Sequence, residues 1–216
     1  MHLSVQAAAN TPEAIAFYVQ TYGVKRVVLP RVLSAQEVAA LIGDVAVEVE
    51  AFVFGGLCVM AEGRCALSSY VTGRSPNLSG VCSPPEAISF DRSGASLVPR
   101  LAGLAIDRFE ADETAGYPTL CKGRFATPES SGYLFEEPVS LNAMGLLKSL
   151  RAAGVRAVKV EGRQRGKAYV ARVAAAFRGA IDALERGDDV EPYDRLLIDL
   201  AEGGRETAGA YRKTWR

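Results

Sequence analysis

Four cysteines, Cys58, Cys65, Cys82 and Cys121, are the residues of this sequence best suited to chemistry, and all fall in one stretch of it. The first pair bounds "CVMAEGRC" and comes shortly after the apolar run "VEVEAFVF". Zinc fingers and ribbons use close cysteine pairs with two to four intervening residues, and no such pair occurs here. The only histidine, His2, is remote in sequence, which argues against a mixed Cys–His zinc site. Four thiolates drawn from well-separated loops suit a cubane iron–sulfur cluster, which takes one thiolate per iron and tolerates long intervals. Arg64, Arg74, Lys122 and Arg124 lie near these cysteines in sequence and could offset a thiolate-ligated cluster's negative charge. On spacing alone a metal or cluster, ordinary buried thiols and disulfides all stay open.

The elements that must position these residues follow from the hydrophobic periods. Strands are expected at 2–7, 25–30, 45–54, 133–137 and 155–162, and helices at 11–23, 34–43, 140–154 and 166–187. Thr11–Pro12 suits a helix start and Gly23 its end, while Ser34 with Glu37 reads as a capping box. The segment 55–132 breaks this rhythm. It is rich in Gly, Ser, Pro, Asn and Arg, and short antiparallel strands are expected only within 96–109. A structureless loop of that length needs something to tie it down. The tail, 191–216, begins helix-like and ends polar.

Strand alternating with helix is the signature of a parallel sheet built from right-handed crossovers. Four or five parallel strands are too few to close an eight-stranded barrel. Either the sheet is open or the chain is part of a barrel whose first strands are absent; with the first strand starting at residue 2, the expected fold is α/β, a partial (β/α) TIM-type barrel with a long cysteine-bearing insertion. Its domains would be 1–190, including the insertion 55–132, and a helical tail 191–216.

Composition limits the function classes. Lys and Arg number 25, as do Asp and Glu, so no overall basic field points to nucleic acid. The apolar runs are strand-sized, far short of the roughly 20 residues of a membrane span, and the opening "MHLSVQAAAN" lacks a signal-peptide layout. A cytoplasmic protein is expected.

The runs "EVEAFVFGGLCVMAEGRCALSSYVTGRSPN", "GYPTLCKGRF", "YLFEEPVSLNAM" and "VKVEGRQRGKAYV" resemble the collagenase-like peptidase family of unassigned mechanism, in particular its UbiU-type members of ubiquinone biosynthesis. The resemblance covers essentially the whole chain. It implies that Cys58, Cys65, Cys82 and Cys121 hold a 4Fe-4S cluster. It further implies an iron–sulfur subunit of an oxygen-independent hydroxylase, working on a quinone precursor as a heterodimer with a UbiV-like partner. Prephenate is the implied oxygen donor. Other members of the family are linked to hydroxylation of RNA bases, which is the alternative, and a non-catalytic scaffold stapled by its cluster is a third. Relatives carry roughly a further hundred residues at the N-terminus, so this chain looks like a C-terminal portion.

Candidates for orienting an anionic donor are Arg163 and Arg165 in "VEGRQRG", because arginine forks bind carboxylates in bidentate fashion and parallel-sheet enzymes place sites after strands. Surface salt bridges are the plainer reading. Glu161, Glu136 and Glu137 also end strands in this reading and would either pair with those arginines or take part in catalysis. Tyr70 and Asn77 would line a cluster cavity or simply pack the loop. Proteolysis is not expected: a serine or cysteine nucleophile needs a base, which a lone His2 supplies poorly, and "HExxH" is absent.

Overall fold

The structure is a computed structural model and describes residues 1–213, without the side chain of Ser79. Two compact units emerge: Met1–Glu62 together with the segment from Pro138 onward, and Gly63–Glu137.

In the first unit, strand β1 (His2–Leu3) is short because Ser4 accepts the Gln6 N–H and caps a 3-10 turn, Val5–Ala7. Helix α1 (Pro12–Tyr22) starts as its sequence demands: the Thr11 side chain accepts the Ala14 N–H, Pro12 fills the first turn, and Gly23 closes the helix at φ 64. Strand β2 (Arg26–Val28) leads to helix α2 (Ala35–Asp44). There the Ser34 N–H donates to Glu37 Oε2 at 2.7 Å and the Glu37 N–H donates to Ser34 Oγ at 3.2 Å, completing the capping box. Ser34→Ala should therefore cost about 1 kcal/mol. An unaltered urea midpoint would show that the cap contributes nothing.

Strand β3 (Glu48–Gly56) is buried from Val49 through Gly55, as befits a central strand covered on both faces. After the second unit the chain continues with β9 (Ser140–Asn142), α5 (Leu147–Ala153), β10 (Ala157–Val160), α6 (Lys167–Arg186), the single turn α7 (Glu191–Asp194) and β11 (Glu206–Thr207); β4 to β8 belong to the second unit. Strands β1, β2, β3 and β10 are parallel neighbours in that order. The last residues of β3 pair antiparallel with β9, which pairs in turn with β11. The sheet is thus mixed, with a parallel majority.

The differences from expectation trace to pairing and packing with residues distant in the chain. The apolar segment 140–154 is not one helix: Ser140–Asn142 are taken into the sheet by β3, and the helix starts only at Leu147. Residues 134–137 form no strand; Ser131–Tyr133 do, in a small hairpin outside the main sheet. The tail is part of the first unit, since Leu197 and Tyr211 share one core cluster with Phe52, Phe54, Leu150 and Phe177. Burial of each such side chain stabilises by roughly 2 kcal/mol.

The second unit contains α3 (Ala66–Thr72), α4 (Pro76–Ser79), the antiparallel set β4 (Ile88–Ser93), β5 (Ser96–Leu101) and β6 (Leu104–Ala105), and the hairpin β7 (Arg124–Ala126) with β8 (Ser131–Tyr133). Its fully apolar centre is small, Leu101, Ile106 and Leu120, so polar ties matter. Arg124 is the main one, bonding Asp107 at 2.7 Å, Glu113 at 2.8 Å and the Arg108 carbonyl at 2.7 Å. The Arg124 hydrogen bond holds the Glu113 carboxyl down at about 2. A depressed folded-state pKa gives stability that is present above the ordinary carboxylate range and lost as pH falls towards about 2. Glu113→Gln should accordingly destabilise at pH 6 and be near neutral at pH 2, read from urea midpoints at both. An equal effect at the two pH values would remove this account.

Candidate active site at the carboxyl edge of the parallel strands

Parallel-sheet enzymes place their chemistry beyond the carboxyl ends of the strands, and here the ends of β2, β3 and β10 carry a dense set of charged groups. Arg31 follows β2, Gly55 and Gly56 end β3, Cys58 and Glu62 follow it, and Glu161 follows β10. Arg31 Nε donates to Glu62 Oε1 at 2.7 Å and Nη1 donates to the Gly56 carbonyl at 2.6 Å. Its guanidinium lies over the Phe52 ring, 4.6 Å from the centroid. The Tyr211 hydroxyl donates to the Phe52 carbonyl at 2.8 Å. Burial pushes the Tyr211 phenol well above its ordinary range, partly opposed by Arg31 and reinforced by Glu62, so it stays a proton donor at any working pH.

The expected residues Glu161, Arg163 and Arg165 do come to this edge, in different roles. The Glu161 N–H donates to the Phe54 carbonyl at 2.8 Å, prolonging the β10–β3 pairing, and its carboxylate accepts the Arg163 N–H at 2.8 Å. Gln164 turns left-handed at φ 62, uncommon for a residue with a side chain, and so shapes the bend before α6. Arg163 leaves its side chain exposed. Arg165 is committed to Glu202 by an ion pair and stacks over Tyr169, 5.3 Å from the ring centroid. Burial raises the Tyr169 pKa, with Arg165 lowering it and Glu161 raising it. Glu202 is itself placed by its backbone N–H, which donates to the buried Ser140 Oγ at 2.9 Å. The plain salt-bridge reading therefore holds for Arg165, and Arg163 is the arginine left facing solvent.

Sequence reasoning missed Arg31, Glu62, Glu202, Ser140 and Tyr211. Arg31 was within reach of the same criterion that picked out Arg163, because "VVLPR" also puts an arginine just past a strand. Glu62 and Glu202 had no such signal, since their partners are distant in sequence.

Cys58 lies in the first unit; in the second, the segments bearing Cys65, Cys82 and Cys121 gather on α3. Cys65 stands at the N-cap position of that helix and its carbonyl accepts the Ser69 hydroxyl at 2.8 Å, while the Ser68 hydroxyl donates to the Cys82 carbonyl. Leu120, next to Cys121, belongs to the apolar cluster on which Leu67 and Val71 of α3 pack. Cys58, Cys65, Cys82 and Cys121 are each partly buried. Among the described residues no three His, Cys, Asp or Glu side chains form a group able to hold a metal ion. The donor set nevertheless fits an iron–sulfur cluster in kind and number, and metal ligands are commonly drawn together by binding itself.

Three of the basic residues expected beside the thiols have partners of their own. Arg74 pairs with Glu86, Arg124 with Asp107 and Glu113, and Arg64 donates to the Gly63 carbonyl at 3.1 Å. Tyr70 is 93% exposed and so lines no cavity in the second unit. Asn77 donates to the Gly63 carbonyl at 2.9 Å, a loop-packing role. Glu136 keeps one carboxylate oxygen buried without a hydrogen-bond partner, and Glu137 is exposed. No helix among the described residues is long and apolar enough to cross a membrane.

Comparison with known proteins adds the following. The sequence model of peptidase family U32 matches residues 1–208. The chain is 33% identical to the tRNA hydroxylation protein P of Haemophilus influenzae, across 94% of the chain and 47% of that protein. It is 31% identical to the tRNA hydroxylation protein P of Escherichia coli, across 94% of the chain and 48% of that protein. A 23S rRNA 5-hydroxycytidine synthase of E. coli is 28% identical across 87% of the chain and 24% of its own length. The chain thus spans about half the length of the tRNA hydroxylation proteins it matches. No solved structure matches it.

Proposed function

The chain belongs to peptidase family U32, and on that premise we propose that it forms part of an RNA-base hydroxylase. The observation that supports this most is the likeness, across 94% of the chain, to proteins named for tRNA hydroxylation. Hydrolysis is the poorer reading. His2 lies on β1 in register with Arg26 at the start of β2, the end of the sheet opposite to the carboxyl-edge residues.

In this proposal Cys58, Cys65, Cys82 and Cys121 are the ligands of a 4Fe-4S cluster, which would supply one-electron redox chemistry when bound. The net reaction replaces a ring C–H with C–OH. The base is oxidised by two electrons, and an oxygen-bearing dicarboxylate of the prephenate type gives up one oxygen atom and is reduced by two. Arg163, its guanidinium in solvent at the strand edge, is the candidate for binding one carboxylate of that donor. Glu161 fixes the backbone on which Arg163 stands, and the Arg165–Glu202 pair holds the rest of the loop.

A second reading is the hydroxylation of a ubiquinone precursor together with a UbiV-like partner. The equal numbers of basic and acidic residues favour it, because RNA binders usually carry a basic excess. A strain lacking the gene, grown with and without oxygen, separates the two. Mass spectrometry of tRNA and rRNA nucleosides should show the loss of one hydroxylated nucleoside, with quinone precursors unchanged. A full set of modified nucleosides alongside accumulated quinone precursor would replace the first reading by the second.

A further inference from the structure

We propose that Arg31 is a positioning residue for Cys58, acting as a clamp on the loop that carries this thiol. The loop leaves β3 at Gly56 and ends at Glu62, and one side chain holds both ends. Arg31 Nη1 bonds the Gly56 carbonyl at 2.6 Å, and Nε bonds Glu62 Oε1 at 2.7 Å. The Arg31 backbone N–H reaches the same carboxylate oxygen at 3.3 Å. The clamp is buried, with side-chain exposures of 11% for Arg31 and 8% for Glu62. It rests on a firm base: Phe52 beneath the guanidinium is 5% exposed, and its carbonyl is held by Tyr211.

The chemistry selects arginine. A planar fork can bond the carbonyl at one end and the carboxylate at the other while its face rests on an aromatic ring; an ammonium is a point charge without fork or face. Joining the loop's ends removes most of the freedom its residues would otherwise have, which sets where the Cys58 sulfur is presented. Arg31 has no need to touch substrate or cofactor to do this. The functional meaning of the clamp rests on the proposal that Cys58 is a ligand, whereas its existence does not.

The test uses the full chain, kept reduced and treated with chelator, and exposed to limiting iodoacetamide. Alkylation of each cysteine is followed by peptide mass spectrometry in the wild type and in Arg31→Ala, Arg31→Lys and Glu62→Gln. Cys58 should react about tenfold faster in Arg31→Ala and a few-fold faster in the other two, as expected for local opening. Cys65, Cys82 and Cys121 should stay within about twofold of the wild type, because the clamp's bonds all lie within the first unit. If Arg31→Ala fails to fold, the two conservative variants decide. An unchanged Cys58 rate in every folded variant, or all four cysteines accelerating together in each, overturns the clamp. Iron and acid-labile sulfide in anaerobically isolated wild type judge the ligand reading separately: selective acceleration of Cys58 in a chain that binds no iron would leave the clamp standing and remove the cluster.

Discussion

Replacing Gly55 with alanine is expected to destabilise the protein by about 4 kcal/mol, the sum of a left-handed backbone and a steric clash. Gly55 sits at φ 118, a conformation that side chains avoid. A Cβ there would stand 2.6 Å from Glu161 Cβ and 2.6 Å from the Glu161 carbonyl oxygen. Neither atom is the loose end of a flexible chain, so β10 would have to move away from β3. The Glu161 N–H bond to the Phe54 carbonyl would be lost with it, and Arg163 would be displaced from the edge. For a chain of this size the loss corresponds to a fall in Tm of roughly 10 °C. Thermal unfolding of the variant within one or two degrees of the wild type would mean that the two strands do not approach this closely.

One residue earlier the sign of the steric problem reverses. Phe54 is fully buried, its ring centroid 6.0 Å from Phe177 and 6.4 Å from Tyr169, both on α6. Phe54→Ala removes those contacts and leaves a cavity between β3 and α6, at a cost of about 3–5 kcal/mol. Phe54→Leu should recover most of that, because it refills much of the volume. Both are read from urea unfolding with the slope held constant. Equal losses for alanine and leucine would indicate that the site answers to aromatic geometry, not to filled space. Alanine is thus too large at 55 and too small at 54, which places the packing of the site's floor on two adjacent residues.

Local signals in the sequence were reliable where the physics is local. The capping box of Ser34 and Glu37 and the Thr11–Pro12 start and Gly23 stop of α1 depend only on residues within a turn of one another, and each is found. Strands β2 and β3 and the break in rhythm after β3 were legible for the same reason. Segment 140–154 was not. Its apolar content serves a strand as well as a helix over so few residues, and pairing with the end of β3 decided in favour of the strand for Ser140–Asn142. Glu161 and Arg165 were found by their place after a strand, but Glu202, which occupies Arg165, lies 37 residues further along the chain.

By itself, then, the sequence determined helices α1, α2 and α6, the capping box of α2, the central strand and the family. Only the tertiary structure decided which arginine is spent on an ion pair, which faces solvent and which grips the Cys58 loop. The reason is that caps and periods are short-range, whereas an ion pair is chosen by whichever opposite charge the fold brings within reach, and that distance through space leaves no trace in spacing along the chain.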